Sequence, residues 1–374
     1  MKEWNYKFLV LEALAIIFVV LGHNQPINMC LNNIFLFYSF HMALFVFISG
    51  YFFKETDIKT FLKKKTYKLI LIYMFWNVIY GIIVNVLKMG NIINYGENFS
   101  IFNTVVAPFV GNSNQYGFNS SAWFMIALYF VNVIYFILNK ILNILKIKER
   151  VSITIFSIVI SIVVLKIFQN NVIPKEYIEY FKIVIRVSFL FPFYCCGILY
   201  YKFEKKIKTN IYLSFSINIV IEAILLQKFK RIDYNLNTFF LGKNYLVYFI
   251  ASLNGISFWI KVANIISEHF KDNKIIEVIG KNTFTIMMHH LFFEFIFNCI
   301  IYFLHFKLNI LNCFNEELFK NSIWYKYDNG TNGAINLIYV IIGIGGPVLI
   351  KTKFYDKIHL KIINKRIKNE KVIN

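Results

Sequence analysis

Metal-ligand and disulfide spacing is missing from this 374-residue chain. Its five cysteines, Cys30, Cys195, Cys196, Cys299 and Cys313, show no C-x-x-C pattern and no nearby histidine set. That excludes a zinc site or a disulfide framework, and no metal is expected. The cysteines read as apolar filler. No small-residue cleavage site follows His23, so the first apolar run is not a cleaved signal peptide. No repeat relates the two halves and no matched pair of Gly- or Pro-broken helices occurs, which weighs against a secondary transporter. Charged residues are few, at 16%, against 58% hydrophobic residues and a mean hydropathy of +0.56. A water-soluble domain does not carry that balance, and the chain lives in a membrane.

Crossing a hydrocarbon layer of ~30 Å takes roughly 20 apolar residues at the helical rise. Ten stretches qualify, over residues 8–28, 34–53, 68–87, 122–139, 151–168, 183–201, 211–227, 245–263, 279–304 and 334–350. Glu222 interrupts the seventh. The expected fold is all-α, a polytopic integral membrane protein of about ten transmembrane helices. Residues 1–374 read as a single transmembrane domain with no fused soluble domain.

The sum of 40 Lys and Arg against 20 Asp and Glu gives a formal charge of +20. With the amino-terminus inside, inner segments hold 28 of the basic residues and outer ones 12. That asymmetry places both termini in the cytoplasm. The excess charge is a topology signal plus attraction to the anionic headgroups of the bilayer. The basic residues are divided among loops rather than gathered on one soluble face, so no nucleic acid partner is expected.

Polar side chains inside the spans carry the functional question, because each costs ~2.5–3.5 kcal/mol to insert and normally faces a cavity or a partner. In "LEALAIIFVVLGHNQ", Glu12 and His23 are eleven residues apart, within about 20° of one helix face and about 16 Å apart along it. The second span returns inward carrying His41, so a hairpin brings His23 and His41 to similar depth. The ninth, "GKNTFTIMMHHLFFEFIF", adds His289, His290 and Glu294, with His290 and Glu294 one turn apart. Histidine titrates nearest neutrality, which suits a general base acting on a hydroxyl or a proton relay in a pump. Both readings, an enzyme and a transporter or flippase for a glycan precursor or proton-coupled solute, stand at this point, and a satisfied helix-packing histidine is the bland third.

Trp123 and Phe124, at the outer mouth of the fourth span, read as a channel wall, a sugar platform or an interfacial aromatic belt. On the inner side, Lys63, Lys64 and Lys65 form the densest basic run beside a helix end, suited to phosphates or to anchoring the topology. Outside, "GNSNQYGFNSSAW" and "WYKYDNGTNG" mix amides with Tyr116, Trp324 and Tyr325, as a carbohydrate site or a flexible loop would.

Four pieces in order, "AIIFVVLGH" ending at His23, "FHMALFVFISGYFF" around His41, "AWFMIALYF" from Ala122 and "IGKNTFTIMMHH" ending at His290, resemble the acyltransferase-3 family of ten-helix bacterial membrane acyltransferases. The resemblance covers essentially the whole chain and is closest to stand-alone members that O-acetylate capsule or other surface polysaccharides. It implies a multi-pass protein of the bacterial cell membrane that moves an acyl group, usually acetyl, from cytoplasmic acyl-CoA (acetyl-CoA) to a hydroxyl of a polysaccharide or lipid-linked glycan. His23 inherits the family's main catalytic candidacy. His41 is read as a second proton-handling residue, and His290, with His289, Glu294, Glu12, Trp123 and Phe124, as cavity or substrate-binding. The family's first helix carries a basic residue eleven positions before the motif histidine, where this chain has Glu12. Ala43 stands where the family often has Pro.

Overall fold

A computed structural model of the chain describes residues 5–24, 34–110, 115–146, 150–170, 172–174, 177–207, 210–229, 232–237, 245–311, 313–328 and 334–355. Among them no strand forms, and nine helical runs are long and apolar enough to cross a membrane. The tail of the first expected span, residues 25–28, lies outside the described residues. So do residues 111–114 and 329–333 of the two outer loops and both chain ends.

The helices are α1 (Tyr6–His23), α2 (His41–Tyr51), α3 (Ile58–Lys65), α4 (Ile72–Met89), α5 (Trp123–Ile144), α6 (Arg150–Gln169) and α7 (Ile178–Phe203). They continue as α8 (Ile211–Phe229), α9 (Tyr245–His269), α10 (Lys274–Lys281), α11 (Thr283–Leu308), α12 (Glu316–Asn321) and α13 (Ala334–Ile350). α1 is the centre of the bundle, packed on α2, α9, α10, α11 and α13. Its Phe8, Ala15, Ile16 and Val20 have no measurable exposure.

The second span departs from expectation. Residues 34–53 do not form one crossing helix; α2 covers only 11 residues, about 16 Å of rise. Before it, Phe37–Ser39 is a 3₁₀ turn, and Phe40 breaks the helix at φ −147° and ψ −22°. The cause is local: the Phe37 carbonyl, which a continuous helix would give to the backbone N–H of His41, is taken by the His41 imidazole instead.

Other boundaries shift for similar reasons. The third span begins early, because α3 runs through a π turn at Thr66–Leu71 into α4. Asp57 caps α3 by accepting from Thr60 N at 2.8 Å, and this hydrogen bond lowers its carboxyl from the ordinary value. The ninth span breaks at Asn282, leaving α10 to lie along α1 before α11 starts. Glu222 does not interrupt α8: it is fully buried and accepts from Asn254 Nδ2 of α9 at 2.7 Å.

Two glycines decide the tightest contact in the bundle. A Cβ at Gly50 of α2 would stand 2.1 Å from the Tyr194 carbonyl oxygen of α7, and one at Gly197 of α7 would stand 2.0 Å from that of Phe47. Small residues let two membrane helices meet backbone to backbone where no hydrophobic force drives them together. This contact aims the short α2, and with it His41, at the end of α1.

Candidate active site

His23, the last residue of α1, faces His290, on the second turn of α11, with 2.8 Å between His23 Nδ1 and His290 Nε2. Their rings lie nearly parallel, 20° apart. The proton positions follow from the neighbours. His290 Nδ1 lies 3.0 Å from the Ile286 carbonyl oxygen and 3.1 Å from that of Met287. A carbonyl only accepts, so His290 Nδ1 carries hydrogen and, in the neutral ring, Nε2 is a lone pair. His23 Nδ1 must then be the donor. That leaves His23 Nε2 as the basic nitrogen of a neutral pair.

The same logic applies to His41. Its Nδ1 donates to the Phe37 carbonyl, so its Nε2 is also a lone pair. Among the described residues neither Nε2 takes a further hydrogen bond. His23 and His41 both line one cavity of about 450 Å³. Tyr38 stands between them, perpendicular to His41 at 5.1 Å and 6.4 Å from His23.

The rest of the wall is amphipathic. Trp324 meets the His23 ring edge-on at 5.1 Å and is 46% exposed. Ser120 and Ser121 line another side, with Asn235 and Asn237 opposite. Trp123 completes the wall, and behind it Arg186 of α7 lies 4.7 Å from the indole. Arg186 is itself buried, and its Nε donates to the Leu236 carbonyl at 3.0 Å, tying the 232–237 segment to Trp123.

Beneath His290, one turn on, Glu294 accepts from Asn24 Nδ2 at 2.8 Å and from Lys326 Nζ. Both Glu294 and Lys326 are withdrawn from solvent, with side chains 1% and 9% exposed. A buried charge without a counter-charge is prohibitively costly, so this pair holds segment 322–327, and with it Trp324, against α11.

The sequence candidates divide. His23, His41 and Trp123 share the cavity, and His290 stands directly behind His23. Glu294 supports the pair from below rather than lining the cavity. Glu12 lies about 16 Å down α1, half-buried, and lines neither this cavity nor the groove described below. Phe124 turns into the core toward Phe45 at 6.0 Å. His289, 100° around α11 from His290, leaves the site and bonds the Tyr80 hydroxyl through Nδ1 at 2.6 Å. Lys63 and Lys64 are exposed on α3, whose Phe61 stacks on Phe136 at 4.1 Å. Tyr116 and Tyr325 are core residues: Tyr116 bonds Thr104 Oγ1 at 2.7 Å, and Tyr325 packs on Phe314.

Tyr38, the two serines, Asn235, Asn237, Arg186 and Lys326 were not singled out in the sequence. Lys326 sits inside "WYKYDNGTNG", where the aromatic residues drew attention, and an intramembrane arginine in the sixth span was the one signal for Arg186. Among the described residues no three His, Cys, Asp or Glu side chains cluster to hold a metal ion.

Comparison with known proteins gives one finding. The family model described as an acyltransferase domain, of the acyltransferase-3 type, matches residues 5–352. No curated protein and no solved structure matches the chain.

Proposed function

The chain belongs to the acyltransferase-3 family, and from that premise we propose that this membrane acyltransferase moves an acetyl group from acetyl-CoA to a hydroxyl of a cell-surface or capsular polysaccharide or its lipid-linked precursor. The observation that carries the reading is the pair of imidazoles, each tied back through Nδ1, whose lone pairs belong to one cavity lined with indoles, hydroxyls and amides. Sugars are recognised by such surfaces, aromatic faces for the ring and amides for its hydroxyls. The family match favours transfer over transport.

His23 Nε2 takes the proton of the acceptor hydroxyl as its oxygen attacks the thioester carbonyl. The resulting tetrahedral intermediate collapses, the carbon–sulfur bond breaks, and the proton passes from Nε2 to the departing coenzyme A sulfur. No covalent acyl-enzyme is needed. A positioned base of this kind contributes ~10²- to 10⁴-fold in rate. During the step, His290 accepts from His23 Nδ1–H and so stabilises the imidazolium, while its own Nδ1–H holds it to the α11 carbonyls. His41 Nε2 accepts from a neighbouring sugar hydroxyl. The exposed Lys63 and Lys64, at the end of the bundle shared with the amino-terminus of α1, supply cations for the donor phosphates.

The test compares surface polysaccharide from a deletion strain, the complemented strain and a strain complemented with His23→Ala, by proton NMR of O-acetyl signals. The signals vanish on deletion, return with the intact gene and stay absent with the variant. Unchanged acylation after deletion refutes the acceptor assignment.

A further inference from the structure

A second cavity, about 640 Å³, is a groove along the flank of the bundle between α4 and the α11–α13 pair. It is separate from the His23 site: α11 gives it His289, whereas His290 turns the other way. Leu71, Phe75, Ile79 and Ile83 recur every fourth residue along one wall, so a single face lines it for about 18 Å. Leu71 and Phe75 are 54% and 59% exposed, so this wall faces the hydrocarbon. The floor is rigid: Trp76 meets His289 edge-on at 4.3 Å, and Tyr80 holds its Nδ1.

An apolar groove in a bilayer takes an acyl chain without further specification. One mouth adds the specification. Lys281 and Lys351 both line it there. Lys351 Nζ donates to Asn282 Oδ1 at 2.6 Å, which fixes the ammonium in place but, since an amide is neutral, leaves its charge. Lys281 is paired with Glu277, so these three groups together carry one net positive charge. The mouth lies at the amino-terminal end of α1: Tyr6 accepts from Asn273 N at the start of α10, and Gly280 packs on the Leu9 carbonyl. Basic-residue counting assigns that end to the cytoplasm.

We propose that this groove is a binding site for an anionic phospholipid of the cytoplasmic leaflet, with its phosphate on Lys351 and one acyl chain along Phe75, Ile79 and Ile83. Charge complementarity selects the head, and the length of apolar wall takes the chain. The site is independent of the transfer reaction.

Trp76 reports occupancy, because brominated acyl chains quench an indole they touch. In phosphatidylcholine nanodiscs, the Trp76 share is the quenching lost in Trp76→Phe. Brominated phosphatidylglycerol at low mole fraction is expected to quench that share several-fold more than brominated phosphatidylcholine at the same fraction. Lys351→Gln removes the excess and Lys351→Arg keeps it. Equal quenching by the two lipids, an excess that survives Lys351→Gln, or its loss in Lys351→Arg overturns the proposal. Displacement of the excess by palmitoyl-CoA at equal mole fraction overturns it too, by assigning the same phosphate-and-chain chemistry to an acyl donor.

Discussion

His23 Nδ1 and His290 Nε2 stand 2.8 Å apart, and the carbonyls of Ile286 and Met287 on the far side of the His290 ring dictate which nitrogen holds the shared proton. The base at His23 Nε2 is thus oriented by a neutral imidazole, where a carboxylate often serves in other enzymes. Glutamine at 290 can accept the His23 Nδ1–H through Oε1; alanine cannot. His290→Gln is expected to keep transfer within about tenfold of wild type, and His290→Ala to lose about 10²-fold. Equal losses in the two variants contradict the orienting role.

His41 has a different task. Its Nε2 accepts from a hydroxyl of the acceptor, and one such bond is worth about 1–1.5 kcal/mol. His41→Ala therefore raises the KM for the polysaccharide by about tenfold while kcat changes less. A fall in kcat at constant KM, matching that of His23→Ala, makes His41 a proton carrier instead.

The Lys326–Glu294 pair supports the site from outside the cavity. Lys326→Ala strands a buried carboxylate and costs about 3–5 kcal/mol, read as a lower Tm of the purified protein. Replacing both partners, Lys326→Met with Glu294→Gln, is expected to recover most of that loss, since no charge is then left alone. A double variant as unstable as the single one refutes the ion-pair account.

Much of this fold was legible in the sequence, because spanning helices announce themselves by apolar length. The exception is instructive. Residues 34–53 are as apolar as any span, yet His41 uses its side chain to take the Phe37 carbonyl and cuts the helix to 11 residues. Hydropathy does not see a side chain competing for a backbone carbonyl. The site divides the same way. His23 and His41 stand out because hydrocarbon makes any imidazole conspicuous, whereas His289 and His290 are adjacent, and only the packing of α11 on α1 decides which one meets His23. Tyr38 reads as one more aromatic residue in an aromatic run, and Lys326 as one of many basic loop residues.

The glycine contact offers a purely structural test. Gly50→Ala and Gly197→Ala each place a methyl about 2 Å from a backbone oxygen of the facing helix. Separating α2 from α7 is expected to cost about 1–3 kcal/mol or more, seen as reduced recovery and lower Tm in detergent. Gly345→Ala, whose added methyl meets nothing within 4 Å, serves as the control and leaves both unchanged. Three equal outcomes contradict the close approach.

The central claim is that His23 is the base. Its most direct measurement is the initial rate of labelled acetyl transfer from acetyl-CoA to de-O-acetylated surface polysaccharide, in membranes holding equal amounts of wild type and His23→Ala. The account predicts a loss of roughly 10²- to 10⁴-fold with donor and acceptor both saturating. A variant that transfers acetyl at the wild-type rate contradicts it.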